Sequence, residues 1–324
     1  MAVLARHERF RARRVRHRLS PNARRDTIRR DGGTTVSSSN RHDYTGKVAV
    51  ITGAASGIGR SLALQLAERG AALALSDIDE MHLKETAELC RTTHGATVTA
   101  AVLDVADRAA FQDYADGVRS ESGHVDMVFN NAGVALGVDV VDMSWEDFDW
   151  LMGINFGGVV NGSKAFLPHL IASGDGHLIN TSSVFGLIGI PSQSAYNAAK
   201  FGVRGFTEAL RQEMKISRYP VTVTCVHPGG VKTNIVNNAR GVSAMGADTA
   251  TVASLFDRIA RSTPDKAAAT ILKGMDKKRA RVLIGADARG FDFVARVIGP
   301  RYQDIAAPLT RAGYAVARRQ GILK

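Results

Sequence analysis

Tyr196 and Lys200 stand four residues apart in a stretch with the apolar pattern of a helix. Side chains at this spacing lie on one face of a helix, so the phenol and the ammonium would be neighbours. A free phenol titrates at about pH 10, whereas an acid–base catalyst works best with a pKa near the working pH. A neighbouring cation lowers a phenol pKa because it favours the phenolate. The pair therefore indicates proton transfer at an oxygen atom, although Tyr-x3-Lys alone is common in ordinary helices.

A second chemical signal is the glycine-rich stretch 52–59, which follows a β-branched run and opens a helix. Its glycines permit a tight turn and a close approach of the backbone to a pyrophosphate, and the helix N-terminus supplies N–H donors. The spacing is Gly-x3-Gly-x-Gly, and a glycine turn alone is also typical of an ordinary strand–helix connection. The strand–turn–helix context predicts a dinucleotide site with these contacts: Gly53, Ser56, Gly57, Ile58 and Gly59.

Asp77 ends the next predicted strand, 18 residues after Gly59. A carboxylate at this position accepts hydrogen bonds from the adenosine ribose hydroxyls and repels a 2′-phosphate. No Lys or Arg adjoins Asp77, so we expect NAD rather than NADP as the cofactor. The alternative interpretation is a turn-forming aspartate in the stretch 76–79.

These residues belong to a regular alternation of strands and helices. We predict strands over 47–52, 71–77, 97–104, 127–130, 177–181, 221–226 and 281–285. We predict helices over 58–69, 81–92, 109–121 and 195–216, and a mostly helical stretch over 145–170. Alternation of this kind predicts an α/β fold, a Rossmann-type doubly wound parallel sheet in a single domain with helices on both faces.

Five motifs follow one another in a fixed order, and together they resemble the short-chain dehydrogenase/reductase family. They are the glycine turn, the run Asn130-Asn131-Ala132-Gly133, Ser183, the pair Tyr196/Lys200, and Pro228-Gly229. The resemblance covers about residues 44–262. It implies a one-domain Rossmann fold and an oxidoreductase that interconverts a secondary alcohol and a ketone or aldehyde with a nicotinamide cofactor.

The resemblance also implies roles for individual catalytic residues. Tyr196 resembles the family's proton donor and acceptor, and Lys200 the residue that lowers the tyrosine pKa and holds the nicotinamide ribose. Ser183, rather than the adjacent Ser182, has the family's spacing for the hydroxyl that orients the substrate oxygen. Asn155 resembles the asparagine that positions a water in the proton relay, and its alternative role is a polar residue that interrupts a helix.

Further positions resemble the family's cofactor contacts. Asp104 and Val105 match the pair that contacts adenine, and Asn131 lies where the cofactor ribose is approached. The remaining expected contacts lie in the same motifs and in the loop that meets the nicotinamide: Ala132, Gly133, Pro228, Gly229, Val231 and Thr233. We expect no metal, because His and Cys are scattered without the ligand spacing of HExxH or paired CxxC.

The formal charge of +11 is concentrated at the start of the chain of 324 residues. Residues 1–46 hold 12 Arg, no Lys and 4 acids, a net of +8. We predict a disordered Arg-rich extension over 1–43. A passive solvated tail, a translation artefact with the true start near Val36, an organellar transit peptide and phosphate-backbone binding all remain open for it. No specific nucleic-acid partner is expected, because no aromatic residues interleave with the arginines.

The rest of the chain reads as a catalytic domain over 44–285 and a helical extension over 286–324. The extension is expected to pack on the domain or on a partner subunit, and contact of this basic amphipathic segment with an anionic membrane surface is the alternative. No apolar run is long enough for a spanning helix, and only two cysteines are present, so we expect a cytoplasmic protein. The family resemblance implies a homodimer or homotetramer.

The substrate is expected to be lipophilic, because the segment 234–262 should border the substrate cleft and is fairly apolar. Its apolar side chains are Ile235, Val236, Val242, Met245, Leu255 and Phe256. A non-catalytic regulator that senses nicotinamide nucleotides is the alternative function, although Ser183, Tyr196 and Lys200 together argue for catalysis.

Overall fold

The computed structural model describes residues 42–235, 239–241 and 260–319. Nearly all of the predicted Arg-rich extension lies outside the described residues. So do five of the six apolar side chains expected at the substrate cleft, the exception being Ile235.

A seven-stranded parallel sheet forms the centre of the described chain, in the order β3-β2-β1-β4-β5-β6-β7. The strands are β1 (Val48–Thr52), β2 (Ala72–Asp77), β3 (Val98–Val102), β4 (Met127–Asn130), β5 (Gly176–Thr181), β6 (Val221–Pro228) and β7 (Arg281–Ile284). The order runs outward from β1 in one direction and from β4 in the other. This reversal confirms the predicted doubly wound Rossmann-type fold, and it places a crevice at the carboxyl ends of β1 and β4.

Helices cover both faces of the sheet. They are α1 (Gly57–Ala67), α2 (Glu80–His94), α3 (Arg108–Ser122), α4 (Trp145–Met152), α5 (Gly158–Ser173), α6 (Ser194–Ile216), α7 (Pro264–Asp276), α8 (Ala286–Val297) and α9 (Tyr302–Arg319). Successive side chains of β1 pack in different hydrophobic cores, because side chains along a strand point alternately to the two faces of the sheet. Ile51 packs with α1, α2 and α7, whereas Val50 packs with α3, α5 and α6.

The helix ends have local causes. Asp79 and Asp107 cap α2 and α3 by accepting hydrogen bonds from first-turn backbone amides. Gly95 and Gly123 end the same helices in the left-handed conformation, where a side chain would be strained.

The structure departs from the sequence prediction in two places. The stretch expected to be mostly helical over 145–170 is divided into α4, a π-helical turn over Gly153–Gly157, and α5. Helix α7 was not predicted, and it packs against α1 through the core that contains Ile271 and Leu272.

Gly162 lets α5 approach the sheet closely. A Cβ atom at Gly162 would collide with the Asn130 side chain of β4 and would lie 2.8 Å from the Phe111 ring of α3. We predict that Gly162→Ala lowers the free energy of unfolding by about 1–3 kcal/mol, because the core has no space for the methyl group. Urea denaturation followed by circular dichroism measures this change.

Gly205→Ala provides the matched control, because Gly205 also lies inside a helix and a Cβ there would meet nothing within 4 Å. The free energy of unfolding of this variant should rise by about 0.4–1 kcal/mol, because an unfolded chain with alanine has less conformational freedom to lose on folding than one with glycine. Equal stabilities for the two variants would contradict the close packing of α5.

Candidate active site

The carboxyl ends of β1 and β4 are joined by the side chain of Thr52. Its Oγ1 accepts hydrogen bonds from the backbone N–H groups of Asn131 (3.0 Å) and Ala132 (3.1 Å). The Asn131 side chain donates back to the Thr52 carbonyl at 3.1 Å. Gly53 has a φ of +68°, and a Cβ there would lie 2.8 Å from the Ala132 Cα. The glycine turn and the loop after β4 therefore pack together at the topological switch of the sheet.

The N-terminus of α1 is open to an anionic group. Ser56 occupies the N-cap position without making a side-chain capping hydrogen bond, and the first turn contains no acidic residue. The first-turn N–H groups have no intrahelical acceptor, and the helix dipole adds positive potential. A Cβ at Gly57 would lie 3.1 Å from the Thr233 methyl group, so the loop after β6 reaches the same turn. These features fit a bound pyrophosphate.

Asp77 points back to the glycine turn from the end of β2. Its two carboxylate oxygens accept hydrogen bonds from the backbone N–H groups of Ala55 (2.9 Å) and Asp79 (3.1 Å). The second bond is the turn contact that the alternative interpretation expected, and the first fixes the carboxylate beside the turn. Arg60 directs its guanidinium to α2 instead, where it donates to Thr86 at 2.8 Å.

Asp104 and Val105 follow β3 on the same side of the sheet. The Asp104 carboxylate accepts a hydrogen bond from the Ala106 N–H at 2.9 Å, and the Val105 carbonyl accepts one from Asn161 at 3.0 Å. Val105 also packs against Gly158 at the start of α5. Val105 is thus held by α5, and Asp104 by a local contact with the Ala106 N–H.

Ser183, Tyr196 and Lys200 lie together at the carboxyl end of β5. The Ser183 hydroxyl lies near the Tyr196 phenol, and it accepts a hydrogen bond from the Phe185 N–H at 3.2 Å. The Lys200 ammonium donates to the Thr181 carbonyl at 3.1 Å and lies 5.6 Å from the centre of the Tyr196 ring. All three catalytic candidates are buried, with 3% of Lys200 exposed.

Burial works against the charged forms of both titratable groups. It raises the pKa of Tyr196, and the nearby Ser183 hydroxyl only partly opposes this rise. Burial also lowers the pKa of Lys200 to about 8. The protein's own residues therefore do not produce the lowered phenol pKa that the sequence led us to expect, because desolvation of the phenolate outweighs the local contacts.

Asn155 occupies the π-helical turn and is fully buried. It forms a pair of hydrogen bonds with the backbone of Val134, at 2.8 Å to the N–H and 2.9 Å to the carbonyl. A Cβ at Gly133 would lie 3.0 Å from the Asn155 Oδ1 and 3.4 Å from the Lys200 Nζ. Asn155 thus lies where a helix is interrupted, and it also borders the catalytic candidates.

The loop after β6 is fixed by backbone contacts. The Gly229 N–H donates to the Ile284 carbonyl at 2.9 Å, and Val231 forms a parallel bridge with Ser262. Pro228 ends β6, and Thr233 lies at the glycine turn as described above. The loop therefore spans from the last strand to the N-terminus of α1.

His227 is a site residue that the sequence analysis missed. It is fully buried, and its Nδ1 donates to the Ser183 carbonyl at 2.9 Å. Burial lowers its pKa to about 4, so the ring is neutral at pH 7. Its position immediately before Pro228-Gly229 was the available signal. Thr52 and Asn197 were also missed, and Asn197 holds the loop between Ser183 and Tyr196 through three hydrogen bonds.

Among the described residues, no three His, Cys, Asp or Glu side chains are grouped as a metal site. The helices of the same part of the chain are too short or too polar to cross a membrane.

Comparison with known proteins gives one family match and several similar proteins. Residues 47–242 match the family described as short chain dehydrogenase. SadH of Mycobacterium tuberculosis, named as an oxidoreductase without a stated substrate, is 54% identical over 265 residues, which cover 82% of this chain and 95% of SadH. Levodione reductase of Leifsonia aquatica is 35% identical over 207 residues, 63% of this chain and 77% of the relative.

This chain is also similar to a solved structure. The crystal structure of a short chain dehydrogenase/reductase from Burkholderia phymatum in complex with NAD matches with a TM-score of 0.71 and 30% identity. It covers 83% of this chain and 97% of the other.

Thr52 provides a test of the junction between β1 and β4. We predict that Thr52→Val lowers the free energy of unfolding by about 1–3 kcal/mol, because two partly buried N–H groups lose their acceptor while the shape is kept. Thr52→Ser keeps the hydroxyl and serves as the control, measured by the same urea titration. A valine variant as stable as the serine variant would show that the hydroxyl does not hold the junction.

Proposed function

The chain belongs to the short-chain dehydrogenase family, and from that premise we propose that it is an NAD-dependent oxidoreductase interconverting an alcohol and the corresponding ketone or aldehyde. One observation carries the proposal. The Ser183 hydroxyl, the Tyr196 phenol and the Lys200 ammonium lie together in a buried site at the carboxyl edge of the sheet.

Tyr196 is proposed to carry the proton. In oxidation, its phenolate accepts the proton of the substrate hydroxyl while a hydride leaves the carbon that bears this hydroxyl. In reduction, its phenol donates the proton to the carbonyl oxygen as that carbon gains a hydride. The nicotinamide ring, when bound, accepts or supplies the hydride and in its oxidised form adds positive charge. Ser183 is proposed to donate a hydrogen bond to the substrate oxygen and so to orient it beside the phenol.

Lys200 and Asn155 are proposed to support the phenol. With a pKa of about 8, Lys200 is mostly protonated at pH 7, and its positive charge favours the phenolate. Its hydrogen bond to the Thr181 carbonyl fixes the ammonium near the ring. Asn155 holds the loop after β4 against Lys200, and a water placed between them is the proposed route for the proton.

The described residues fit a dinucleotide along the crevice. The glycine turn, with Gly53, Gly59 and the stretch 56–58, would hold the pyrophosphate at the N-terminus of α1. Asp77 would accept the adenosine ribose hydroxyls, and Asp104 with Val105 would border adenine. The remaining proposed contacts lie on the nicotinamide side: Asn131, Ala132, Gly133, Pro228, Gly229, Val231, Thr233, Tyr196 and Lys200.

NAD is favoured over NADP by the charge beside the adenosine ribose. The Asp77 carboxylate is fixed by backbone N–H groups, and a 2′-phosphate there would meet its negative charge. Arg60, close along the chain, is engaged with Glu85 and Thr86 and does not offset this charge.

Two finer points extend the proposal. Levodione reductase bears the name of a ketone substrate, and the apolar segment 234–262 supports a lipophilic substrate.

A cytoplasmic homodimer or homotetramer is proposed. The exposed apolar side chains Phe293, Val297, Ile305 and Leu309 of α8 and α9 support a contact between subunits. The alternative, a regulator that senses the nucleotide, would need no buried group of serine, tyrosine and lysine.

Tyr196→Phe tests the catalytic proposal. We predict a fall in kcat by a factor of about 10²–10⁴, because the proton donor is removed. The NADH dissociation constant should change by less than about twofold, since one hydroxyl at the edge of the cofactor site is lost. Tyr219→Phe, at an exposed tyrosine, is the control. Near-normal turnover in the Tyr196 variant would reject the mechanism and favour the regulator.

A spectrophotometric screen of alcohols and ketones with both cofactors tests the substrate and cofactor proposals. We predict at least tenfold higher kcat/KM with NAD(H) than with NADP(H), the equivalent of about 1.4 kcal/mol. Asp77→Ala should reduce this preference by removing the repelling charge. Preference for NADPH in the unaltered protein would contradict the assignment of Asp77, and small polyols outperforming every lipophilic compound would contradict a lipophilic substrate.

A further inference from the structure

Two side chains beyond β7 contact the two loops that border the proposed active site. Asp287, in the first turn of α8, accepts a hydrogen bond from the Gly230 N–H at 2.7 Å. The Tyr302 hydroxyl, at the start of α9, accepts one from the Gly189 N–H at 2.7 Å. We call Asp287, Tyr302 and the chain between them the brace. Neither residue lies in a motif of the family resemblance.

The Asp287 contact is closely packed. A Cβ at Gly229 or at Gly285 would collide with the Asp287 carboxylate, so the carboxylate lies between the loop after β6 and the end of β7. The first turn of a helix is also a favourable place for a negative charge. Asp287 therefore fixes the loop that carries Gly229 and reaches the glycine turn.

The Tyr302 contact holds the loop between Ser183 and Tyr196. In this loop, Phe185 packs edge-to-face against the Tyr196 ring, with 6.2 Å between the ring centres. Asn197 holds Phe185 and Ile190 from the side of α6. Tyr302 supplies the acceptor for the N–H of Gly189, in the same loop.

We propose that Asp287 and Tyr302 are positioning residues, Asp287 for the cofactor-side loop and Tyr302 for the substrate-side loop. The inference rests on the proposed function, because it assumes that these loops border the nicotinamide and the carbonyl substrate. Neither side chain touches the reacting atoms. Each acts through one backbone N–H, so each should influence one ligand and leave the other almost unaffected.

Tyr302→Phe and Asp287→Ala, made in the full chain, test the two halves of the brace. Tyr302→Phe should raise the KM of the ketone or alcohol substrate about fivefold, the effect of one lost hydrogen bond, and leave the NADH dissociation constant within about twofold. Asp287→Ala should raise the NADH dissociation constant about fivefold and leave the substrate KM within about twofold. Fluorescence titration with NADH and steady-state kinetics measure these values.

Hydrogen–deuterium exchange provides a readout that does not depend on turnover. Exchange should become faster over residues 184–193 in Tyr302→Phe and over residues 227–232 in Asp287→Ala, because the affected N–H groups lose their acceptors. Asp287→Asn keeps an acceptor oxygen and should restore slow exchange and NADH binding.

Two variants serve as controls. Tyr219→Phe removes an exposed hydroxyl elsewhere, and Asp304→Ala removes a carboxylate from the first turn of α9. Both should behave like the unaltered protein in all four measurements.

The outcomes distinguish this inference from the proposed function. A fall in melting temperature without the split between KM and NADH binding would mean a purely structural role and would overturn the inference, as would unchanged exchange in both loops. Absence of turnover in the unaltered protein with every substrate would reject the proposed function instead. The NADH titration of Asp287→Ala and the two exchange measurements would then still decide whether the brace holds the loops.

Discussion

Desolvation of a phenol and an ammonium is the physical constraint around which the site is built. Tyr196 and Lys200 are both buried, and burial disfavours the charged form of each. An unpaired buried charge is costly, so the site must supply hydrogen bonds. The Thr181 carbonyl accepts a hydrogen bond from the Lys200 ammonium, and the Ser183 hydroxyl lies near the phenol. His227 in turn holds the Ser183 carbonyl, which fixes the backbone from which the serine hydroxyl projects.

A buried polar network beneath the site joins the elements that carry its residues. Asn130 of β4 donates to Asn180 of β5 at 2.9 Å, and Asn180 donates to Thr207 of α6 at 3.1 Å. These three elements also lead to Asn131, Ser183 and Tyr196, so one chain of hydrogen bonds sets their relative positions. Loss of either bond would deprive a buried polar atom of a partner in a medium of low dielectric, which is costly.

Short-range patterns predicted the strands, most helices and the parallel sheet. β-Branched runs and helical periodicity are properties of a few consecutive residues, and the alternation of elements then restricts the topology. The π-helical turn had one local signal, the polar Asn155 in a helical stretch, but the partner of Asn155, the Val134 backbone, lies 21 positions away and had none. The contacts of His227 with Ser183 and of Tyr302 with Gly189 join residues that are 44 and 113 positions apart. The motif order singled out Ser183, Tyr196 and Lys200, whereas the residues that support them depend on tertiary contacts.

The direction in which the Tyr196 pKa is shifted bears on what the protein and the cofactor would each contribute to the proposed proton transfer. The protein alone raises the pKa of Tyr196, so its own residues favour the protonated form. That form is the acid needed to protonate a carbonyl oxygen in reduction. Oxidation needs the phenolate. Two positive charges would partly offset the effect of burial on the phenol pKa: the ammonium of Lys200, whose pKa is about 8, and the nicotinamide of the oxidised cofactor. In the proposed mechanism, the base form of Tyr196 would therefore need the oxidised cofactor in the nicotinamide site, whereas burial favours the acid form.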